Sequence, residues 1–181
     1  MLVAIVGMAG AGKTEVSRVF QKHGWQRLRF GDVTDDELKR RGLERNEQHE
    51  RVVRESIRKE HGMAAYAKFM IPKIDAALPH GNVVLDGLYS WEELLVLREH
   101  FGKKLVVLGV YTTRQLRYQR LTIRGERPLS FEESRSRDIA EIEKLNKAGP
   151  IALADHLVIN DGSLKDLVHA VEKFIRRLSS S

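Results

Sequence analysis

The 181-residue chain is 42% hydrophobic and 31% charged, enough to bury the core of one α/β domain, and a single domain over residues 1–181 is the expectation. The absence of cysteine excludes disulfides and thiolate metal sites, and none of the seven histidines falls in an HExxH or similar ligand spacing. No apolar run approaches the ~20 residues that span a bilayer. The N-terminal LVAIVG is too short for a secretory signal and runs straight into glycines, so a cytoplasmic protein without membrane partners is expected. The net charge of +6 comes mostly from arginines, densest between 114 and 137, where seven occur without a lysine. Arginine's planar fork suits bidentate grip on phosphate oxygens, so a phosphate pocket accounts for this choice better than a diffuse nucleic-acid surface.

The first element is an apolar run, VAIVG (3–7), that reads as a buried strand. It feeds GMAGAGKTEV (7–16), in which Gly7 is followed at the spacing of a phosphate-binding loop by Gly12, Lys13 and Thr14. Glycines there let successive N–H groups converge on one anion, and the helix that follows adds the positive end of its dipole. Gly7, Ala9, Gly10, Ala11, Gly12, Lys13, Thr14 and Glu15 thus form the expected nucleotide-binding stretch. In it Lys13 would reach the β- and γ-phosphates, and the Thr14 hydroxyl would bind Mg²⁺. The helix opening at Lys13 should stop near His23, because Gly24 sits where a left-handed cap belongs.

A weaker strand, QRLRF (26–30), precedes a strandless segment, 32–80, that holds two helical patterns, the second containing Pro72. NVVLD (82–86) is the next strand. Asp86 at its tip suits a direct or water-mediated role on the same Mg²⁺; the alternative is a turn aspartate in Asp-Gly. SWEE (90–93) has the capping-box form, KLVVLGVY (104–111) is a fourth strand, and SFEE (130–133) opens another helix. Between them Arg117, Arg120 and Arg124, three and four apart, share one side of a helix; Arg127 follows in RGERPLS, then Arg135 and Arg137. A segment so built can fold over phosphates and exclude water, with Arg124, Arg127 and Arg137 at the transferring group; a solvated basic face is the plainer reading. HLVIN (156–160) is the last strand, and the C-terminal helix carries Leu164, Leu167, Val168, Val171 and Ile175 on one apolar stripe. Strands alternating with helices argue for a parallel sheet covered on both faces.

Strand, phosphate loop, helical insert, Asp-Gly after the third strand, and RLTIR leading into an arginine-rich segment together resemble the nucleoside monophosphate kinases. The similarity is nearest to the adenylate-kinase-related or dephospho-CoA-kinase-like group, through GMAGAGKTEV, FGDV, MAAYAK, VVLDG, RLTIRG, RDIAE and IALADHLVIND. The resemblance implies a three-layer α/β P-loop NTPase fold with a five-stranded parallel sheet, an acceptor-binding insert at about 32–80 and a short lid at about 124–137. It also implies Arg120 against the base of ATP, Arg124 on its phosphates, and the loop from Asn160 through Gly162 to Ser163 lining the adenine site.

Two positions depart from that group. Where it commonly carries phosphate-clamping arginines, this chain has Asp35 in GDVTDDE and Tyr89 in DGLYS. An aspartate there repels an acceptor phosphate. Arg54 and its neighbours in the insert could substitute, although they sit among glutamates and read equally as surface pairs. Tyr89 could stack on a base or pantetheine-like arm, or pack beside Ser90. Asp32 could orient an acceptor hydroxyl or simply start a helix. The expected activity is a Mg-ATP-dependent phosphotransferase with a small acceptor; a nucleotide-binding switch or weak ATPase read by a protein partner is the alternative, and a nucleic-acid module ranks last.

Overall fold

The computed structural model describes residues 1–125 and 128–179. Its sheet has five parallel strands, β1 (Leu2–Val6), β2 (Gln26–Arg29), β3 (Val83–Asp86), β4 (Leu105–Tyr111) and β5 (His156–Ile159), in the order β2-β3-β1-β4-β5. The central strand β1 is buried along its whole length. Its period-two alternation divides it between two cores: Leu2, Ala4 and Val6 on one face, Val3 and Ile5 on the other. The second core is closed by α1 (Lys13–Lys22) and α9 (Leu164–Ser179), with Phe20, Trp25 and Phe174 in edge-on contact around it.

The first core is covered by the inserted helices α2 (Gly31–Arg40), α3 (Glu47–His61) and α4 (Ala65–Ala77), and by α5 (Trp91–Phe101). The insert therefore holds three helices where the sequence pattern suggests two. GDVTDDELKR looks polar in isolation, but Val33 and Leu38 bury one side of α2, and Thr34 Oγ1 meets the Tyr66 hydroxyl of α4 at 2.7 Å. Both capping boxes form: Ser90 and Glu93 at the start of α5, Ser130 and Glu133 at the start of α7 (Phe131–Glu143). Helix α1 ends as expected, with Gly24 at φ 82°. One apolar stripe is shorter than its pattern: Leu167 and Val171 are buried, but Leu164 at the first turn of α9 is 59% exposed.

Chain order reverses around β1, which pairs with β3 through Ile5 and Asp86 and with β4 through Val6 and Gly109. In open parallel sheets that reversal leaves a crevice at the carboxyl ends of the strands. The residues just past Val6 sit there. No helix among the described residues is long and apolar enough to cross a membrane.

Candidate nucleotide-phosphate site

Residues 7–14 form a tight loop between β1 and α1. The amide of Ala11 donates to Met8 O at 3.2 Å, and the amides of Glu15 and Val16 both return to Gly12 O, starting the helix. Two glycines are obligatory here. Gly7 (φ 149°) passes so close to β4 that a Cβ would lie 2.5 Å from Val110 O, and Gly12 (φ 97°) would place one 2.3 Å from Asn160 Nδ2. Gly10 rests against the backbone of α6 (Arg114–Ile123) at Arg117. Such a cradle is shaped by backbone contacts at Val110 and Arg117 and by the Asn160 side chain, with the N-terminus of α1 beneath it.

Asn160 and Arg120 brace this loop from the β5 side. Asn160 Nδ2 donates to Ala11 O at 2.8 Å, and Thr112 Oγ1 lies 3.1 Å from both Ala11 O and Asn160 O. Arg120, on α6 (Arg114–Ile123), reaches Thr112 Oγ1 at 3.4 Å. Gly162 packs against Asp166 at the start of α9. The arginine stripe does not act as one face. Arg117 is buried and points inward, donating to Ala9 O at 3.0 Å and forking onto Asp138 of α7 at 2.9 and 2.6 Å, while the Tyr118 hydroxyl bonds the same carboxylate. Arg124 caps α6 at its end and is half-buried. Arg127 lies outside the described residues. In the stretch where the sequence suggests a lid, α6 runs to Ile123, α7 starts at Phe131, and Leu129 is tied back to Leu121 O.

On the β3 side, Lys13 Nζ folds back onto Met8 O at 3.0 Å, and the Thr14 hydroxyl is exposed. Ser17, one turn along α1, lies 2.9 Å from Thr14 O and 3.2 Å from Asp86 Oδ2. Asp86 has a partner that residue spacing does not point to: Arg27 of β2 forks onto the same Oδ2, with Nε at 3.1 Å. All these contacts fall on one oxygen. Glu15 pairs outward with Arg18.

Tyr89 follows Asp86 by three residues and lays its ring across Gly87. Its amide and that of Ser90 donate to Glu93 Oε2, at 2.8 and 3.1 Å, which fixes the segment after the strand. Burial, and then the charge of Asp86, push the Tyr89 phenol up to about 12; burial likewise raises the Glu93 carboxyl to about 7. Opposite Tyr89 stands a cation that spacing did not single out. Lys147, in the turn before α8 (Ala148–Ala152), is 1% exposed, bonds Glu141 Oε2 at 2.6 Å and sits 4.8 Å over the Tyr89 ring. Arg137 Nε holds the other Glu141 oxygen at 3.1 Å. In the sequence, LNKAGP reads as an ordinary polar turn, and only the tertiary fold turns its lysine inward.

Lys13, Asp86, Arg137 and Tyr89 are therefore gathered in one crevice. Burial, followed by the positive charge of Lys147, pushes Lys13 down to about 7, with Glu141 and Asp86 pulling the other way. Burial works against the charged form of Glu141, but Lys147 and Arg137 outweigh it and hold its carboxyl below the ordinary value. The insert residues are not drawn into this cluster. Asp32 faces Arg29 at 3.2 Å, and Asp35 is met by Arg29 at 3.7 Å and Arg45 at 3.4 Å, so its charge is compensated inside the insert. Arg54 lies 3.1 Å from Glu50, which Arg45 also approaches. No group of three or more histidine, aspartate or glutamate side chains is arranged for a metal ion among the described residues.

Residues 3–141 match the AAA domain family. A UPF0200 protein of Thermococcus sibiricus is 34% identical over 182 residues, covering 98% of this chain and 95% of its own. Among solved structures, shikimate kinase from Bacteroides thetaiotaomicron superposes with a TM-score of 0.63 at 15% identity, covering 99% of this chain and 98% of its own. Dephospho-CoA kinase from Campylobacter jejuni does so with 0.59 at 14%, covering 99% and 97%. At those identities the likeness is one of fold alone, a three-layer α/β architecture of the P-loop NTPase-like kind with a five-stranded parallel sheet and a helical insert. By its match to the AAA domain and its full-length relatives, the chain belongs to the UPF0200 protein family.

Proposed function

We propose that the chain is a Mg-ATP-dependent phosphotransferase that moves the γ-phosphoryl group to a small acceptor. The observation that carries this reading is the loop at Gly7–Thr14, closed on Val110, Arg117 and Asn160, with Lys13 at the mouth of α1 and Asp86 one helical turn away through Ser17. Its donor set fits the triphosphate tail: backbone amides, a lysine ammonium and the exposed Thr14 hydroxyl. Mg²⁺, held by Thr14 and through water by Asp86, would neutralise charge on the β- and γ-phosphates. In the transfer an acceptor oxygen bonds to the γ-phosphorus while the bond to the β–γ bridging oxygen breaks, and that electron pair departs with ADP. Lys13, Arg137, Arg124 and Arg127 are the side chains proposed to steady the charge on the moving group. Arg120, Asn160 and Gly162 are proposed for the base side, Asp32 and Tyr89 for the acceptor; Arg54 would have to part from Glu50 to join them.

A coupled ADP-release screen against nucleoside monophosphates, dephospho-CoA and nucleosides, with Lys13→Ala as the blank, tests this. ADP is expected only when a suitable acceptor is present. Steady ATP consumption that ignores the acceptor would count against it. A nucleotide-dependent switch read by a protein partner is the second reading, favoured by the insert arginines Arg45 and Arg54, which are matched by Asp35 and Glu50 rather than turned to the crevice. It would show background turnover and a partner retained only with nucleotide.

Proton counting gives a further check. With Lys13 at about 7 in the free protein, most of it is neutral at about pH 8. Phosphate oxygens favour the charged form, so binding Mg-ATP at about pH 8 should take up close to one proton through this group. At about pH 6, where Lys13 is already charged, that uptake should vanish. Calorimetry in two buffers of different ionisation enthalpy reads it directly, and a buffer-independent enthalpy at the higher pH contradicts the assignment.

A further inference from the structure

Lys147 is buried beyond what packing asks of a lysine. A charged pair taken out of water is rarely more stabilising than a well-packed apolar pair of the same shape. Here the pair is also set among like charges: Lys13, Arg137, Lys147 and Arg27 stand around two carboxylates, Glu141 and Asp86. The backbone is bent to achieve this. Asn146, immediately before Lys147, sits at φ 49°, a left-handed conformation that non-glycine residues rarely adopt, and its side chain is pinned to Glu92 Oε1 at 2.7 Å. That turn delivers Lys147 inward, where its amide closes on Glu141 O at 3.2 Å and its ammonium lies over Tyr89.

An ammonium has three donors. Among the described residues Lys147 Nζ makes one hydrogen bond, to Glu141, and a second N–H can face the Tyr89 ring. Glu141 is secured independently by Arg137 on its other oxygen, so the lysine can share its charge with a new anion without leaving that carboxylate unpaired. We propose that Lys147 is a second phosphate-gripping lysine, which contacts the terminal phosphoryl group of the bound nucleoside triphosphate from the side opposite Lys13. This rests on the phosphotransferase reading and adds to it a contact that depends on the third phosphate. A diphosphate ends short of it.

The test compares Mg-ADP with the Mg complex of the β,γ-imido ATP analogue, by calorimetry, in the wild-type chain and in Lys147→Met. One charge-assisted hydrogen bond corresponds to roughly a 10- to 100-fold change in affinity. The variant should lose at least about 10-fold for the triphosphate and stay within about 2-fold for ADP. Equal loss for both nucleotides would make Lys147 a packing residue and overturn the proposal, and so would no loss for either. Should the variant fold poorly, the wild-type chain labelled at lysine Cε gives the answer alone. The Lys147 resonance, displaced upfield by the Tyr89 ring, should move with the imido analogue and hold still with ADP; a resonance indifferent to the analogue overturns the proposal. Failure of the wild-type chain to bind either nucleotide would instead strike the phosphotransferase reading itself, a result distinct from normal binding that ignores Lys147.

Discussion

Replacing Lys13 with alanine is expected to weaken Mg-ATP binding by at least about 100-fold while leaving the free protein no less stable than before. The first half follows from the chemistry of the loop. A lysine spanning two phosphate groups makes charge-assisted hydrogen bonds worth roughly 1.5–3 kcal/mol each, and no neighbour on α1 can replace them. The second half follows from the cost of keeping that lysine in the free protein. Among the described residues its hydrogen bond there is to Met8 O alone, and burial together with Lys147 already drives its proton off near neutrality. Removing it deletes one bond worth about 1 kcal/mol and relieves a crowded positive charge, and the two changes roughly cancel. Calorimetry and thermal unfolding on the same preparation separate the halves. Retained nucleotide affinity would remove the basis of the proposed activity, whereas a large drop in melting temperature would show that Lys13 holds the loop together.

Arg117→Ala is expected to be the most destabilising single change in the crevice, by about 3–5 kcal/mol. The side chain is 6% exposed and joins three elements: the loop through Ala9 O, its own helix α6, and α7 through Asp138. Truncating it leaves the buried Asp138 carboxylate with, among the described residues, the Tyr118 hydroxyl as its remaining hydrogen-bond partner, and strips Ala9 O of its donor. For a chain of this size each kcal/mol moves the melting temperature by roughly 2–4 °C, so a fall of about 10 °C is expected. The double variant Arg117→Ala/Asp138→Ala should cost clearly less than the two single changes added together, since the second removes the charge stranded by the first. A melting temperature within about 2 °C of wild type for Arg117→Ala would mean that water compensates Asp138 and that the brace is not structural. Because the same guanidinium shapes the loop at Ala9, nucleotide affinity should fall with it, although less than in Lys13→Ala.

These two residues mark the limits of what can be read along the chain. The role proposed for Lys13 is legible because it depends on neighbours within a few positions: glycines that permit the curl, a strand before and a helix after. Arg117 reads as part of an exposed stripe, because helical spacing says which side chains share a side but not what that side meets. What it meets, Asp138, is 21 residues away and arrives only when α7 packs on α6.

The same division runs through the rest of the protein. The sequence by itself determined the glycine-rich loop before α1, the places of the five strands, the ends of α1, both capping boxes and the strandless insert, since each depends on local backbone preference or on a short hydrophobic period; the apolar run of β5 misled only in its burial, Leu157 and Ile159 lying exposed. It did not reveal α2, whose apolar residues are too few to announce a helix until Tyr66 and the sheet supply the other half of the contact. Nor did it reveal the pairings Arg27–Asp86, Lys147–Glu141 and Arg117–Asp138. Charged side chains look alike in a sequence, solvated or buried, and only the packed structure decides which of them lose water and must find a partner. In this chain that decision sets the charge of the crevice: it ties Asp86 to an arginine, compensates Asp35 within the insert, and brings a lysine from a polar turn to the face of Tyr89.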